Sequence, residues 1–149
     1  RPLAMAQGAD KDFCTEATGL IDIGDVRSFE QDPAFGLTLL AETAQRALSP
    51  GVNDPGTAIE VMGRIERLLW ETLPDGTETE GGEVRFPHIH LPPVTAQELL
   101  KACFPPIARC AEDAPEVMQW MDKALSELEH HPNTAMTKAA RKMHNSFFD

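Results

Sequence analysis

The stretch ALSPGVNDPGTA, residues 47–58, decides the fold of this 149-residue chain. Its first half, Ser49-Pro50-Gly51, is typical of a helix end, and its second half, Asp54-Pro55, is typical of a helix start. An aspartate before the first helical residue accepts hydrogen bonds from unpaired backbone N–H groups, and a proline at that first residue has no N–H to leave unpaired. We therefore predict that one helix ends near residue 48, that another begins at Pro55, and that the two form an αα-hairpin.

Helical periodicity extends from this turn in both directions. Upstream, Asp32-Pro33 repeats the same kind of helix start, and Glu42 and Arg46 have the spacing of an ion pair one turn apart. Downstream, the second helix is predicted to end at Leu73-Pro74. Apolar residues recur at steps of three and four in both segments: Leu37, Leu40, Ala44, Ala47 and Leu48 in the first, and Ile59, Met62, Ile65, Leu68 and Leu69 in the second.

Further helices are predicted in the second half of the chain. One begins at Thr95, which forms a capping box with Glu98, and others follow Asp113-Ala114-Pro115 and Pro132-Asn133-Thr134. Pro105-Pro106 is predicted to break or kink the first of these, because proline lacks the N–H donor and clashes with the preceding turn. The expected fold class is all-α with at most one or two short strands, an irregular bundle of about five helices built on the αα-hairpin.

The length suits one domain, so we expect residues 1–149 to form a single soluble helical domain. Residues 74–93 are predicted to be the loop or linker between its two helical halves, because 75–83, DGTETEGGE, is acidic and glycine-rich. The chain begins at Arg1 and has neither a signal peptide nor an apolar run of about 20 residues. We therefore expect it to be excised from a longer protein.

Composition limits the partners. The formal net charge is −11, which repels phosphate backbones and predicts that the chain binds no nucleic acid. The last helix is the basic exception, with Lys138, Arg141 and Lys142. The three cysteines follow no CxxC or zinc-finger spacing, which predicts free thiols: Cys14, Cys103 and Cys110.

The strings FEQDPAFGL, residues 29–37, and ALSPGVNDPGTA, with the leucine-rich helix after it, resemble a known group of sequences. This is an uncharacterised domain-of-unknown-function family of bacterial predicted integral membrane proteins. The resemblance is densest over residues 24–73, and Gly56 stands where a larger residue is more usual. The resemblance implies a soluble domain at the bacterial cell membrane, expected on the cytoplasmic side, with its own transmembrane region as partner. It implies no reaction.

Polar groups in and near the turn are the candidate ligand-binding site: Arg27, Asp32, Arg46, Ser49, Asn53, Asp54 and Thr57. In one interpretation, the N-terminus of the second helix binds a small anion. In another, Asp32 and Asp54 hold a hard cation or act as acid and base. In the structural interpretation, which we favour for the motif as a whole, both aspartates are N-caps. Gly51 supplies a left-handed backbone conformation, and Asn53 tolerates such a conformation. We also expect at least one of the two carboxylates to matter beyond capping.

Two other features invite functional interpretations. His88 and His90 would share one face of a strand, but two ligands do not complete a metal site, so no metal and no cofactor are expected. The last helix either packs on the domain or lies on a membrane surface. Packing is favoured because its apolar residues align on one side: Met136, Ala140, Met143 and Phe147.

These observations predict a non-catalytic sensing, regulatory or assembly domain of a bacterial membrane protein. One alternative is a metal-assisted or acid/base hydrolase that uses Asp32, Asp54 and Arg46. Another is an oligomerisation module. The expected partners are its own transmembrane region, further copies of the chain and a small anionic ligand.

Overall fold

A computed structural model describes residues 5–6, 8, 10–19, 32–72, 89–90 and 94–148. The regular secondary structure of these residues is helical apart from one pair of two-residue strands, which confirms the predicted all-α class. The helices are α1 (Lys11–Gly19), α2 (Pro33–Ala47), α3 (Pro55–Thr72), α4 (Ala96–Cys110), α5 (Pro115–Leu128) and α6 (Thr134–Phe148). The strands are β1 (Met5–Ala6) and β2 (Ile89–His90).

The chain divides into two compact units. The first comprises Arg1–Arg27 and Glu78–Val94. Its described elements are α1 and the antiparallel pair of β1 with β2, in which Met5 lies opposite His90 and Ala6 opposite Ile89. A strand at the position expected for His90 is therefore present at Ile89–His90, whereas His88 and the acidic segment 75–83 lie outside the described residues.

The second unit comprises Ser28–Thr77 and Thr95–Asp149 and contains α2 to α6. Its helices form a closed ring, because α2 packs on α3 and α4, α3 packs on α5, α5 packs on α6, and α6 packs on α4. The ring surrounds a core of aliphatic side chains, methionines and one phenylalanine. Its largest fully buried members are Phe104, Met62, Ile65, Leu69, Leu99, Leu100, Ile107, Met121, Leu125, Leu128, Met136 and Val117.

The starts of α2 and α4 follow the predicted capping chemistry. Asp32 caps α2 by accepting a 3.1 Å hydrogen bond from the Phe35 N–H on its Oδ1. Thr95 and Glu98 form the predicted capping box at the start of α4. These caps supply acceptors for N–H groups that no helical carbonyl reaches, so the local sequence fixes where the helices begin.

The predicted break at Pro105-Pro106 is wrong, because α4 runs without interruption from Ala96 to Cys110. Each proline inside a helix costs about 3 kcal/mol. Burying a large apolar side chain returns about 1.5–3 kcal/mol. Four such side chains on α4 are fully buried, so packing is large enough to offset the two prolines: Leu99, Leu100, Phe104 and Ile107.

Candidate functional site

The connection between α2 and α3 is closed by its own backbone. The Asp54 N–H donates to the Ala47 carbonyl over 2.8 Å, which joins the last residue of α2 to the residue before α3. Inside this loop the N–H groups of Val52 and Asn53 both donate to the Ser49 carbonyl, at 3.0 and 2.9 Å. The turn is therefore a hydrogen-bonded scaffold that sets how α3 leaves α2.

Asp54 is the N-cap of α3. Its Oδ1 accepts a 3.0 Å hydrogen bond from the Thr57 N–H, and its Oδ2 accepts a 2.6 Å bond from the Thr57 hydroxyl. The hydrogen bond from the Thr57 hydroxyl is the largest of the effects that hold the pKa of Asp54 below its usual value. Because the carboxylate already meets the first N–H groups of α3, an external anion at this helix end would have to displace it.

Ser49 and Arg46 are also engaged within the turn. The Ser49 hydroxyl donates to the Arg46 carbonyl over 2.7 Å, so it satisfies one of the last carbonyls of α2. Arg46 Nε donates to the Glu42 backbone carbonyl over 3.4 Å. The ion pair predicted from the spacing of Glu42 and Arg46 is thus replaced by a contact with the main chain.

The left-handed conformation in the turn is adopted by Asn53, with φ +47°. Gly51, to which the sequence interpretation gave that conformation, is not in it. Asparagine tolerates a positive φ better than most residues with a side chain. The next residue, Asp54, accepts the hydrogen bond from the Thr57 N–H at the start of α3.

The seven predicted site residues do not all converge. Asp32 and Arg46 lie near opposite ends of α2, about 21 Å apart at 1.5 Å per residue. Arg27 lies outside the described residues. The structure joins Asp54 to Thr57 and Ser49 to Arg46, and it places Asn53 beside Asp54.

The tip of the turn faces solvent in this structure. Val52 is 62% exposed, the highest fraction among the described large apolar side chains. Gly51, Asn53 and Asp54 are exposed as well. The turn therefore presents an apolar side chain on a hydrogen-bonded base, which is built by its backbone and by the side chains of Ser49, Asp54 and Thr57.

Sequence reasoning missed a second polar cluster, which lies between α5 and α6. His144 Nε2 lies 2.7 Å from Asp122 Oδ1, and His144 Nδ1 lies 2.7 Å from Glu129 Oε1. Arg141 Nε donates to the other Glu129 oxygen over 3.1 Å. The spacing of Asp122 and Glu129, seven residues apart, was the available signal, because it places both on one helical face.

A third polar contact holds the connection from α5 to α6. His131 is buried, 4% exposed, and its Nδ1 accepts a 2.9 Å hydrogen bond from the Asn133 N–H. Its Nε2 lies 3.3 Å from the Trp70 carbonyl at the end of α3, and the two rings are 4.7 Å apart. Asn133 in turn caps α6 by accepting from the N–H groups of Ala135 and Met136.

The cysteines form no disulfide, as predicted. Burial raises the pKa of the Cys103 thiol to about 12, so this cysteine stays protonated and unreactive at neutral pH. Cys14 and Cys110 are exposed. Within the described residues no group of three or more His, Cys, Asp or Glu side chains is arranged to hold a metal ion.

Comparison with known proteins gives one family. The family described as predicted membrane protein (DUF2254) matches residues 1–127. The chain is also 38% identical over 80 residues to uncharacterized proteins of Mycobacterium bovis and of two Mycobacterium tuberculosis strains. That alignment covers 50% of this chain and 15% of each relative. No solved structure matches.

In the part of the chain that the structure describes, no helix combines the length and the apolar character that a membrane span requires. That ALSPGVNDPGTA is a signature of the matching sequences stays a prediction.

Proposed function

This chain belongs to the DUF2254 family of predicted membrane proteins, and from that premise we propose that it is a non-catalytic assembly domain. In this proposal the tip of the α2–α3 turn docks onto the membrane-embedded part of the same protein. The observation that carries the proposal is the exposed Val52 on a turn whose backbone is closed by internal hydrogen bonds.

The rigidity of the turn favours binding over chemistry. A side chain held by a closed backbone loses little conformational entropy when it is buried in a partner. Burying Val52 would return about 1.5–2 kcal/mol, enough to orient a tethered domain although not to hold a free one. Pro50 and Gly51, next to it, are exposed and carry no charge that would oppose burial.

The partner is inferred from the relatives. The chain spans about 15% of the length of the curated relatives it matches, and its family is one of predicted membrane proteins. A partner on the same polypeptide is present at high effective concentration, so a small contact suffices. A small contact of this kind therefore favours the protein's own membrane region over a separate partner.

The hydrolase alternative receives less support from the same residues. An acid and a base acting on one bond must both lie within hydrogen-bond reach of the substrate. Asp32 lies about 21 Å along α2 from Arg46, and Asp54 already accepts two hydrogen bonds from Thr57. The role of Asp54 at the start of α3 explains both hydrogen bonds with Thr57, so no substrate is needed to explain its position.

Protection of the turn from a thiol reagent tests the proposal. Val52→Cys is introduced into a Cys14→Ser, Cys110→Ser background, in the full-length protein in its native membranes and in the isolated 149-residue chain. Gln97→Cys, at an exposed site in the first turn of α4, is the matched control. We expect the cysteine at 52 to react at least tenfold more slowly in the full-length protein, and the cysteine at 97 to react equally in both.

Equal reactivity of the cysteine at 52 in the two settings would contradict the docking proposal. Equal protection of both cysteines would contradict it too, because the whole domain and not the turn would then be covered. Protection at 52 that appears in the isolated chain as its concentration rises would assign the turn to a contact between copies and favour the oligomerisation module.

A further inference from the structure

Charge is unevenly distributed over the ring of helices α2 to α6. α6 carries Lys138, Arg141 and Lys142 and no acidic residue. Its neighbour α4 carries two cations and one acidic residue, Glu98, which is engaged in the capping box at the start of that helix. α3 and α5 each contain more acidic than basic residues. Because α4 and α6 pack on each other, their cations lie on adjacent outer faces of this unit.

The cations of α4 and α6 are all exposed, and we call them the basic face: Lys101, Arg109, Lys138, Arg141 and Lys142. The three on α6 are spaced three and four residues apart, so they share one side of the helix. Among the residues that the structure describes, four of the five form no ion pair, and Arg141 pairs with Glu129. The basic face therefore presents charge that the described part of the chain does not neutralise.

The acidic groups that meet α6 are themselves paired. Asp122 Oδ1 and Glu129 Oε1 each lie 2.7 Å from a ring nitrogen of His144. A carboxylate only accepts hydrogen bonds, so a ring between two carboxylates carries a proton on both nitrogens and is a cation. The hydrogen bonds that His144 donates to Asp122 and Glu129 raise its pKa, in agreement with that charge. Arg141 contacts the other Glu129 oxygen, so two cations offset these two anions.

We propose that the basic face binds the surface of a bilayer that contains anionic phospholipids. The charges are complementary, and the chain belongs to a family of predicted membrane proteins. The apolar side of α6 is buried in the core through Met136, Ala140 and Met143, so cations on headgroups make the contact and no amphipathic helix inserts. Phe148, 38% exposed, follows Arg141 by two helical turns on the same side, and an aromatic ring suits the headgroup region.

The net charge of the chain does not prevent this contact, because electrostatic interactions in salt are local. At about 0.1 M salt the screening length is about 10 Å, so acidic groups farther than this from the bilayer contribute little. Each Lys or Arg close to an anionic surface strengthens binding about fivefold. Four unpaired cations then give half-maximal binding on the order of 1 mM lipid, which is weak for a free chain and sufficient for a domain tethered to the membrane.

Vesicle co-sedimentation of the 149-residue chain tests the proposal. The vesicles contain equal parts of phosphatidylglycerol and phosphatidylcholine, and vesicles of phosphatidylcholine alone are the reference without net charge. At about 0.1 M salt and millimolar lipid, we expect roughly tenfold more of the chain to sediment with the anionic vesicles than with the reference. At about 1 M salt, where the screening length is about 3 Å, we expect this difference to disappear.

Two matched double variants separate the basic face from net charge. Lys138→Gln with Lys142→Gln removes two cations of the basic face, and Arg67→Gln with Lys123→Gln removes two exposed cations of α3 and α5. Both change the net charge equally, and we expect both to keep the wild-type melting temperature because all four side chains are exposed. We expect the first pair to weaken binding about 25-fold, fivefold for each cation, and the second to stay within about twofold of the wild type.

The proposal is overturned if the wild-type chain does not sediment with the anionic vesicles, or if both double variants lose binding equally. Equal binding to vesicles of phosphatidylcholine alone would overturn it too, because the contact would then not depend on charge. Binding of a random DNA duplex in place of the vesicles would assign the face to nucleic acid, self-association in their place would assign it to a second copy, and either result would overturn the proposal. All of these measurements use the chain alone, so they are independent of whether the α2–α3 turn docks on a membrane-embedded region.

Discussion

At the scale of single residues, the turn is explained by two side chains with different tasks. Asn53 adopts the positive φ that redirects the chain, and Asp54 accepts the N–H and hydroxyl of Thr57. The capping role of Asp54 could be predicted, because Asp before Pro has a local physical meaning. Which of Gly51 and Asn53 adopts the left-handed conformation could not be predicted, because both residue types tolerate it. The hydrogen bonds that close the loop select Asn53.

Substitutions at Asn53 measure the cost of that conformation. Asn53→Gly is expected to leave stability unchanged or slightly raised, because glycine adopts φ +47° without strain. Asn53→Ala is expected to cost about 1 kcal/mol, the usual penalty of a left-handed residue with a Cβ atom. Chemical denaturation of the two variants checks this, with Gly51→Ala as a control that should cost less, because Gly51 has no positive φ and open space for a Cβ.

At the scale of helices, periodicity predicted which faces are buried but not how tightly each side chain is enclosed. Met136, Ala140 and Met143 of α6 are buried as expected, whereas Phe147 is only partly buried. Lys138, Arg141 and Lys142 are exposed, and Arg141 pairs with Glu129. The continuity of α4 through Pro105-Pro106 was mispredicted because local propensity was weighed without the tertiary packing that offsets it.

The partial burial of Phe147 gives a comparison within α6. Met136→Ala removes a fully buried side chain and is expected to cost roughly 2–5 kcal/mol. Phe147→Ala is expected to cost less, although the ring is larger, because part of its surface is already in water. Urea unfolding of both variants decides the order, and a greater loss at Phe147 would show that α6 is anchored at its end and not at its start.

Gly63 tests the packing of α3 on α5. A Cβ at this position would meet Trp120 Cη2 at 3.4 Å, which is ordinary contact, and the glycine has no positive φ. Gly63→Ala is therefore expected to stabilise the chain by about 0.5–1 kcal/mol through helix propensity. Gly63→Leu, which adds bulk against the indole, is expected to destabilise it. Loss of stability with alanine would contradict the contact as described.

At the scale of the whole molecule, the closed ring of α2 to α6 was beyond prediction from one sequence. Helical periodicity shows that a face is buried, but which helix covers it depends on contacts distant in the chain. The His144 cluster was missed for the same reason, since it joins Asp122 and Glu129 to a helix 15 to 22 residues away in sequence. The family and the all-α class could be predicted because they depend on short sequence motifs and on local helix propensity.

Net charge makes a prediction for the molecule as a whole. At a formal net charge of −11, the nonspecific electrostatic interaction between the chain and a phosphate backbone is repulsive. We expect no binding of a random DNA duplex at physiological salt by fluorescence anisotropy. Micromolar affinity would contradict this expectation. It would require a local basic surface that overcomes the net charge, and α6 is the candidate for that surface.

We infer that the 47–58 turn is a capped scaffold and that the Asp54 carboxylate is not a reactive group. The most direct test compares Asp54→Asn with Asp54→Ala, in thermal unfolding of the isolated chain and in membrane assembly of the full-length protein. Asparagine keeps an oxygen that can accept the Thr57 N–H, whereas alanine removes it. We expect near-wild-type stability and assembly for Asp54→Asn, and a lower melting temperature for Asp54→Ala. A stably folded Asp54→Asn protein that fails to assemble, or equal destabilisation by both substitutions, would contradict it.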